Sequence, residues 1–369
     1  MKPYRCALSL HHMTADVLNR YGLDEKNCLI SPFGNGLINY SWKITSGKKE
    51  FLLQQINQQV FRHPPQIMKN LADLDAYFKL HYPDYLFVAP TPANTGQNYV
   101  KDETGNYYRL FPFIKDSFSC DMVSDPALAF EGARQFGKFT RLLTPFDPGR
   151  LSITLPDFHN LSLRYRQFDS ALQNGNKKRI SDSEDTISFL KDQKEIADEY
   201  EKIKKNETLK IRVIHHDAKI NNVLFDKVNQ AGLCLVDLDT VMPGFYISDV
   251  GDMLRTYICP VDEEEADTRR ILIREEYFLA IVKGYLGEMN NVLTENEKKY
   301  FVYAGKFAIY MQALRFLTDY INDDIYYSIK YENQNRVRAR NQVTLLKHFM
   351  EKEDQLNNIL KKYLKTIVE

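Results

Sequence analysis

Three polar residues, Asp217, Asn222 and Asp237, lie at offsets that would suit one chemical site. A site that transfers a phosphoryl group needs a carboxylate to accept the hydroxyl proton and oxygen ligands to hold a divalent cation against the phosphates. Asp217 could accept the proton, while the amide of Asn222 and the carboxylate of Asp237 could hold the cation. The spacing therefore indicates phosphoryl transfer.

Apolar residues on either side of a turn predict a β-hairpin between Asn222 and Asp237. If Phe225 faces Leu233 in that hairpin, Asn222 falls opposite Val236, one residue before Asp237. Neighbours across antiparallel strands lie about 4.5–5.5 Å apart. The hairpin alone would then bring the Asn222 amide and the Asp237 carboxylate to one cation, which we expect to be Mg²⁺.

Three residues near Asp217 are further candidates for this site. Lys219 could contact the γ-phosphate of ATP in the transition state, and an ordinary surface lysine is the open alternative. His215 could transfer a proton directly, although a hydrogen bond that braces the loop is the favoured role for it. Asp239 could be a second metal contact.

Turns and helix caps are the competing explanation for several of these side chains. Asp217 and Asn222 could merely satisfy a turn between strands, a common use of both residue types. The hairpin and Asp237 favour the catalytic interpretation for this pair. Asp249 and Asp252 could equally be N-caps of the helix that follows them, and their roles stay open.

The periodicity of the apolar residues changes along the chain. Up to about residue 113 it predicts strands and one helix, and from about residue 127 it predicts mainly helices. The predicted fold class is therefore α+β, with a small N-terminal unit over 1–113 and a larger C-terminal unit over 114–369. The predicted strands include 38–44, 51–56, 107–111, 211–214, 223–225 and 233–236. The predicted helices include 67–81, 300–314 and 336–365, and the region 183–205 is predicted to be a helix or a helical hairpin.

A Gly-x-Gly turn, Gly34-Asn35-Gly36, joins two predicted strands of the N-terminal unit. Such a turn is a weak signal, and an ordinary hairpin explains it as well. Its place at the start of a small sheet, upstream of the Asp217 loop, favours backbone N–H groups that cover the phosphates of ATP.

The composition excludes several classes of protein. Forty-nine basic residues balance 49 acidic ones, which argues against a nucleic-acid or membrane-surface partner. No apolar run approaches the roughly 18 residues that a membrane span needs, and the N-terminus leads into no apolar signal segment. The five cysteines are scattered without a C-x-x-C pair, which disfavours a disulfide framework or a zinc site. We expect a cytoplasmic protein.

Together these motifs resemble the aminoglycoside phosphotransferase and choline kinase superfamily, whose fold is the protein-kinase-like pair of lobes. Several segments are more closely similar to the N-acetylhexosamine 1-kinases: 51–57, 109–114, 155–160, 315–320 and, most specifically, 236–244. The resemblance implies a small lobe with an antiparallel sheet and one helix, and a larger helical lobe with the catalytic hairpin. It also implies transfer of the γ-phosphate of ATP, with Mg²⁺, to the anomeric hydroxyl of N-acetylglucosamine or N-acetylgalactosamine.

The resemblance also implies roles for individual residues. It assigns Asp217 as the base, Asn222 and Asp237 as Mg²⁺ ligands, Leu110, Phe111 and Phe113 to the adenine-binding hinge, and Arg315 and Tyr326 to the sugar pocket. Gln54 departs from the wider superfamily, because it occupies the strand position where a phosphate-binding lysine is usual. Since Gln54 can donate a hydrogen bond but brings no charge, Mg²⁺ and Lys219 would have to stabilise the phosphates.

Two other functions stay open. The acceptor could be an aminoglycoside or another small alcohol such as choline or homoserine, although a cationic drug needs an acidic pocket rather than Arg315 and Tyr326. The chain could instead be a non-catalytic pseudokinase, although such proteins usually lose the base or the metal ligands. The sequence does not distinguish N-acetylglucosamine from N-acetylgalactosamine, and we expect a monomer or a weak homodimer.

Overall fold

The computed structural model describes residues 10–34 and 38–367. The described residues up to Ser117, together with Gly149–Leu155, form one compact unit. Phe118–Pro148 and the described residues from Pro156 onward form the other. Within the described ranges, no helix is both long enough and apolar enough to cross a lipid bilayer.

The first unit is built on an antiparallel sheet with the strand order β1-β2-β3-β5-β4. Its elements are α1 Leu10–Asn19, β1 Cys28–Pro32, β2 Tyr40–Ser46, β3 Lys49–Gln55, α2 Pro64–His81, β4 Val100–Lys101 and β5 Tyr107–Pro112. Gly47, at φ 59°, makes the tight turn between β2 and β3. The predicted sheet and its long helix α2 are both present.

One face of this sheet forms the core of the first unit. Trp42, Ile44 and Leu53 are buried there together with Val17 and Leu18 of α1. The alternation of apolar and polar residues over 38–44 predicts that positions 38, 40, 42 and 44 share one buried face, and this holds at positions 42 and 44. It is wrong at position 38, which precedes the strand, and at position 40, where the strand begins: both side chains are exposed, and the ring at position 40 stacks on Trp42 instead.

The second unit is mainly helical. After β5 the described strands and α-helices are β6 Ser117–Phe118, α3 Pro126–Leu142, α4 Leu161–Asn174, α5 Lys177–Ser181, α6 Glu184–Asp192, α7 Glu195–Lys205, β7 Ile211–Ile214, β8 Val223–Asp226, β9 Gly232–Leu235, β10 Met242–Phe245, α8 Ile247–Tyr257, α9 Glu275–Met289, α10 Glu295–Lys298, α11 Phe301–Ile321, α12 Gln334–Glu351 and α13 Glu353–Thr366. The short strands predicted in this region are all present.

The region 183–205 is a pair of helices, α6 and α7, which is the helical-hairpin alternative of the prediction. The C-terminal tail differs from the single helix predicted for it, because it is divided at Lys352 into α12 and α13. The N–H of Lys352 bonds back to the carbonyl of His348, which closes the first of these helices before the second begins. The helix α9 was not predicted, because buried residues occur all around it and leave no amphipathic period.

A buried ion pair fixes the strand that leads into the Asp217 loop. Arg212 of β7 contacts Glu297 of α10 at 2.6 Å, and both side chains are almost fully buried. Glu297 also completes a capping box with Thr294. On its other side β7 pairs with β10, so that Ile214 lies opposite Met242. The loop beginning at His215 thus leaves a strand that is held from two sides.

Candidate active site

The Asp217 loop is anchored by the buried carboxylate of Asp249. Its two oxygens accept hydrogen bonds from the backbone N–H groups of His215, at 3.0 Å, and His216, at 2.7 Å. Burial raises the pKa of Asp249 to about 7, although the two N–H donors act in the opposite direction. Asp249 lies within α8, so the prediction that it could be the N-cap of this helix is wrong. Asp252 also lies inside α8, where it forms an ion pair with Arg255 at 3.0 Å.

His215 is fully buried, and both of its ring nitrogens meet backbone groups. Nε2 lies 3.0 Å from the carbonyl oxygen of Val236, and Nδ1 accepts the N–H of Asp217 at 3.3 Å. These two bonds fit a neutral ring with its proton on Nε2, and burial lowers the pKa of His215 accordingly. The geometry favours the bracing role for His215 over proton transfer.

Asp217 is partly exposed and is held by two neighbours. The Asn222 amide nitrogen donates to its carboxylate at 2.9 Å, and the Lys219 ammonium lies 3.4 Å from its other oxygen. Burial opposes the charged form, but Lys219 and the Asn222 hydrogen bond together hold the pKa of Asp217 below its ordinary value. The carboxylate is therefore ionised at neutral pH and can accept a proton.

The hairpin places Asn222 where the spacing predicts. Val223 pairs with Leu235, and the N–H of Val236 donates to the carbonyl of Asn222 at 2.9 Å, so Asn222 lies opposite Val236. The predicted pairing of residue 225 with residue 233 is wrong, because a bulge after position 224 shifts the partner of position 225 to Gly232. Asp237 follows directly, in a left-handed conformation at φ 58°.

The donor set here suits a hard cation such as Mg²⁺. The Asn222 nitrogen is bound to Asp217, which leaves the amide oxygen to face a cation, and Asp237 adds a carboxylate. Asp239, two residues further on, is almost completely buried. Among the described residues no three acidic, histidine or cysteine side chains form a metal cluster. The remaining ligands of a cation here would be phosphate oxygens and water, as Mg²⁺ commonly uses.

His216 determines which residue can occupy position 244. Its backbone is left-handed at φ 66°, and its buried ring lies 5.4 Å from the ring of His159. Burial lowers the pKa of His216 to about 4, so the ring is neutral at pH 7. A Cβ atom added to Gly244 would lie only 2.5 Å from the ring nitrogen Nε2 of His216. Glycine at position 244 makes room for this ring.

Arg315 and Tyr326, the predicted sugar-pocket residues, lie together on one side of a cavity of about 490 Å³. The Arg315 guanidinium lies 3.5 Å from the Tyr326 hydroxyl and 5.6 Å from the centre of the Phe158 ring. Phe158 in turn lies 6.5 Å from the ring of His216, beside Asp217. A chain of ring contacts thus leads from the Asp217 loop to this cavity.

In the first unit, Gln54 forms a cross-strand row with Ser41 and Arg109. The three residues are paired in register across β2, β3 and β5. Arg109, almost fully buried, donates to the Gln54 carbonyl oxygen from Nε at 3.1 Å and from a terminal nitrogen at 2.9 Å. The Gln54 amide nitrogen donates to the Ser41 hydroxyl at 3.1 Å. A positive charge thus lies next to Gln54, a feature the sequence analysis missed.

The predicted hinge residues differ in their surroundings. Leu110 is part of the buried core, whereas the ring of Phe111 lies under the Arg109 guanidinium at 5.0 Å. The ring of Phe113 is covered by the Lys43 ammonium at 4.2 Å. Gly34 has a φ of 78°, and the other two residues of its predicted turn, at positions 35 and 36, lie outside the described residues.

Comparison with known proteins shows which proteins the chain as a whole resembles. The sequence profile of the "Phosphotransferase enzyme family" matches residues 29–277. Among solved structures, the microcompartment-associated aminopropanol kinase is 14% identical with a TM-score of 0.63, and the match covers 93% of this chain and 97% of that one. An aminoglycoside phosphotransferase from Alicyclobacillus acidocaldarius is 12% identical with a TM-score of 0.62, covering 93% and 96%.

A spectinomycin phosphotransferase in complex with ADP and spectinomycin is also similar, at 13% identity and a TM-score of 0.53 over 89% of this chain and 91% of that one. At these identities the likeness concerns the fold. The predicted α+β class, with a protein-kinase-like fold of a small antiparallel-sheet unit and a larger helical unit, is confirmed.

We expect Gly244→Ala to destabilise the second unit. The added methyl group would collide with the buried His216 ring, and overpacking of this kind costs about 1–3 kcal/mol. The measurement is the free energy of unfolding in urea. Gly287→Ala is the matched control: it lies in α9 with open space around it, and there alanine should stabilise by about 0.5–1 kcal/mol. Equal effects of the two changes would refute this account of Gly244.

Proposed function

The chain belongs to the Phosphotransferase enzyme family, and on that premise we propose that it transfers the γ-phosphate of ATP to the anomeric hydroxyl of an N-acetylhexosamine. The observation that carries the proposal is the ionised, partly exposed carboxylate of Asp217, held between Asn222 and Lys219. A carboxylate in this position can accept the proton of an attacking hydroxyl. The resemblance to the N-acetylhexosamine 1-kinases supplies the acceptor.

In the proposed reaction Asp217 accepts the proton of the C1 hydroxyl while that oxygen attacks the γ-phosphate in line with the leaving ADP. The Asn222 amide fixes the rotation of the Asp217 carboxylate, and Lys219 offers a partly exposed positive charge beside it. Asn222 and Asp237 would hold Mg²⁺, which when bound neutralises charge on the phosphates. Both nitrogens of the His215 ring bond to backbone groups, so His215 keeps the loop in place.

The acceptor cavity supports a neutral or anionic acceptor over a cationic one. Arg164 and Arg315 both line it. Among the described residues that line it, the one acidic side chain is that of Asp319, and its two oxygens accept the N–H groups of Tyr326 and Tyr327. An aminoglycoside or an amino alcohol would bring positive charge into this positive cavity. A sugar hydroxyl or acetamido group can instead accept hydrogen bonds from the guanidinium groups.

A panel of acceptors tests this proposal. ATP consumption would be measured with N-acetylglucosamine, N-acetylgalactosamine, simple hexoses, homoserine, aminopropanol and kanamycin. We expect the highest kcat/KM with one of the two N-acetylhexosamines and a product phosphorylated at C1. Turnover of kanamycin or aminopropanol alone would show that the acceptor is misassigned. Binding of Mg-ATP without turnover of any acceptor would favour the pseudokinase alternative.

We expect Asp217→Asn to lower kcat by about 10²–10⁴-fold, the usual contribution of a positioned general base. The amide keeps the shape of the carboxylate but cannot accept the proton. ATP affinity, measured by calorimetry, should stay within about twofold, because a base acts on the acceptor rather than on the nucleotide. Asp198→Asn, an exposed carboxylate on α7, is the control for general charge effects. Near wild-type turnover of Asp217→Asn would remove Asp217 as the base.

The Gln54–Arg109 contact gives a second prediction. If the buried guanidinium replaces the lysine charge that related enzymes place at position 54, then Gln54→Lys puts two positive charges side by side. We expect this change to raise the KM for ATP about tenfold and to leave the KM for the acceptor unchanged, since like charges in contact repel strongly.

The double variant Gln54→Lys with Arg109→Gln restores a single charge on this row. We expect it to recover most of the ATP affinity, and thermal unfolding of all three proteins serves as the control for stability. Improved ATP binding by Gln54→Lys alone would contradict the idea that Arg109 supplies the charge.

A further inference from the structure

The cavity between α4 and α11 is lined by polar side chains beyond those assigned to the sugar contacts. Arg164 of α4 and Thr318 of α11 lie on its wall together with Arg315 and Tyr326. The side chain of Arg164 donates from its terminal nitrogens to the carbonyl oxygens of Asp157 and of the next residue, at 3.0 and 3.3 Å, and to Gln167 at 3.0 Å. These bonds hold the guanidinium rigidly at the wall.

The charge in this cavity is positive. Among the described residues, the hydrogen-bond partners of Arg164 and Arg315 are backbone carbonyl oxygens, glutamine amide oxygens and the Tyr326 hydroxyl, and none is a carboxylate. Asp319 bonds to two backbone N–H groups and also accepts from the amide of Asn335 at 3.0 Å, so its oxygens are turned to the protein. Burial and the neighbouring Arg315 charge lower the pKa of Arg164, while Asp157 acts weakly in the opposite direction.

Two residues that line the cavity each have a buried polar atom without a hydrogen-bond partner among the described residues. The atoms are Nε of Arg164, which carries one N–H, and Oγ1 of Thr318, which carries one O–H. Buried polar groups in proteins are nearly always satisfied, and an unpaired one often indicates a group that a ligand completes. Both atoms can donate, so the missing partner is an acceptor.

We propose that this cavity is a binding site for an oxyanion, a carboxylate or phosphate group, held by Arg164, Arg315 and the hydroxyl of Thr318. The forked guanidinium groups match the geometry of such anions. A neutral acetamido carbonyl could accept one of these hydrogen bonds but would leave the two positive charges uncompensated. An oxyanion compensates the charge and can accept hydrogen bonds from the guanidinium and hydroxyl groups of these residues.

The oxyanion could come from two sources. It could be a substituent of the acceptor sugar, away from the anomeric hydroxyl, in which case the inference rests on the proposed function. It could instead be a free anion that binds beside the acceptor. Both sources would use the same contacts. An anion carried by the acceptor would change the kinetics of that acceptor, whereas a free anion would not.

Calorimetric titration with inorganic phosphate at low ionic strength tests the site without any turnover. We expect binding that Arg164→Gln weakens about tenfold, as loss of a charge-assisted hydrogen bond usually does, and that Thr318→Val weakens about threefold. Arg166→Gln is the matched control, because Arg166 is an exposed arginine on the same helix, and it should change affinity by less than about twofold. Thr318→Val keeps both arginines and guards against misfolding of the Arg164 variant.

Kinetics then separate the two sources. If the acceptor carries the anion, N-acetylglucosamine 6-phosphate should have about a tenfold lower KM than N-acetylglucosamine, and Arg164→Gln should remove the difference. If the anion is free, inorganic phosphate should still bind in the presence of saturating N-acetylglucosamine, and the two sugars should not differ. Two results together would overturn the proposal. The first is that phosphate binding is absent or does not depend on Arg164, and the second is that the two sugars have the same KM. Failure of all sugars as acceptors would refute the proposed function and leave the phosphate titration intact.

Discussion

The geometry of the candidate site depends on one buried carboxylate. Asp249 accepts the backbone N–H groups of two consecutive residues, His215 and His216, and so fixes the direction in which the chain leaves β7. Two adjacent N–H groups can point at one carboxylate only if the backbone turns sharply, and His216 does so in the left-handed region. The position of Asp217, its contacts with Asn222 and Lys219, and the small residue at Gly244 all follow from this turn.

The hairpin of β8 and β9 was predictable because its information is local. Residues 222 and 237 are close in sequence, so the turn and the alternation of apolar residues fix their register. The error at Phe225 comes from a bulge that the residue types in the hairpin do not indicate. The contacts that the sequence did not predict join distant positions. Asp249 lies 34 residues from His215, and Arg109 lies 55 residues from Gln54. Periodicity reports which face of an element is buried, but it does not report which polar group on another element will meet it.

The two units treat positive charge in different ways. In the first unit the buried Arg109 donates two hydrogen bonds to the side-chain oxygen of Gln54. These bonds polarise the neutral amide of Gln54. In the second unit Lys219 is partly exposed and directly faces the Asp217 carboxylate. At the position where the family resemblance leads one to expect a lysine, Gln54 is neutral, and the nearest charge on this row is the guanidinium of Arg109 on the neighbouring strand.

The segment that carries Tyr326 illustrates how an exposed loop can be rigid. Ile325 and Tyr326 are largely open to solvent, yet the buried carboxylate of Asp319 accepts the N–H groups of Tyr326 and Tyr327 and the amide of Asn335. A loop that is already held in this way loses little conformational entropy when a ligand binds against it.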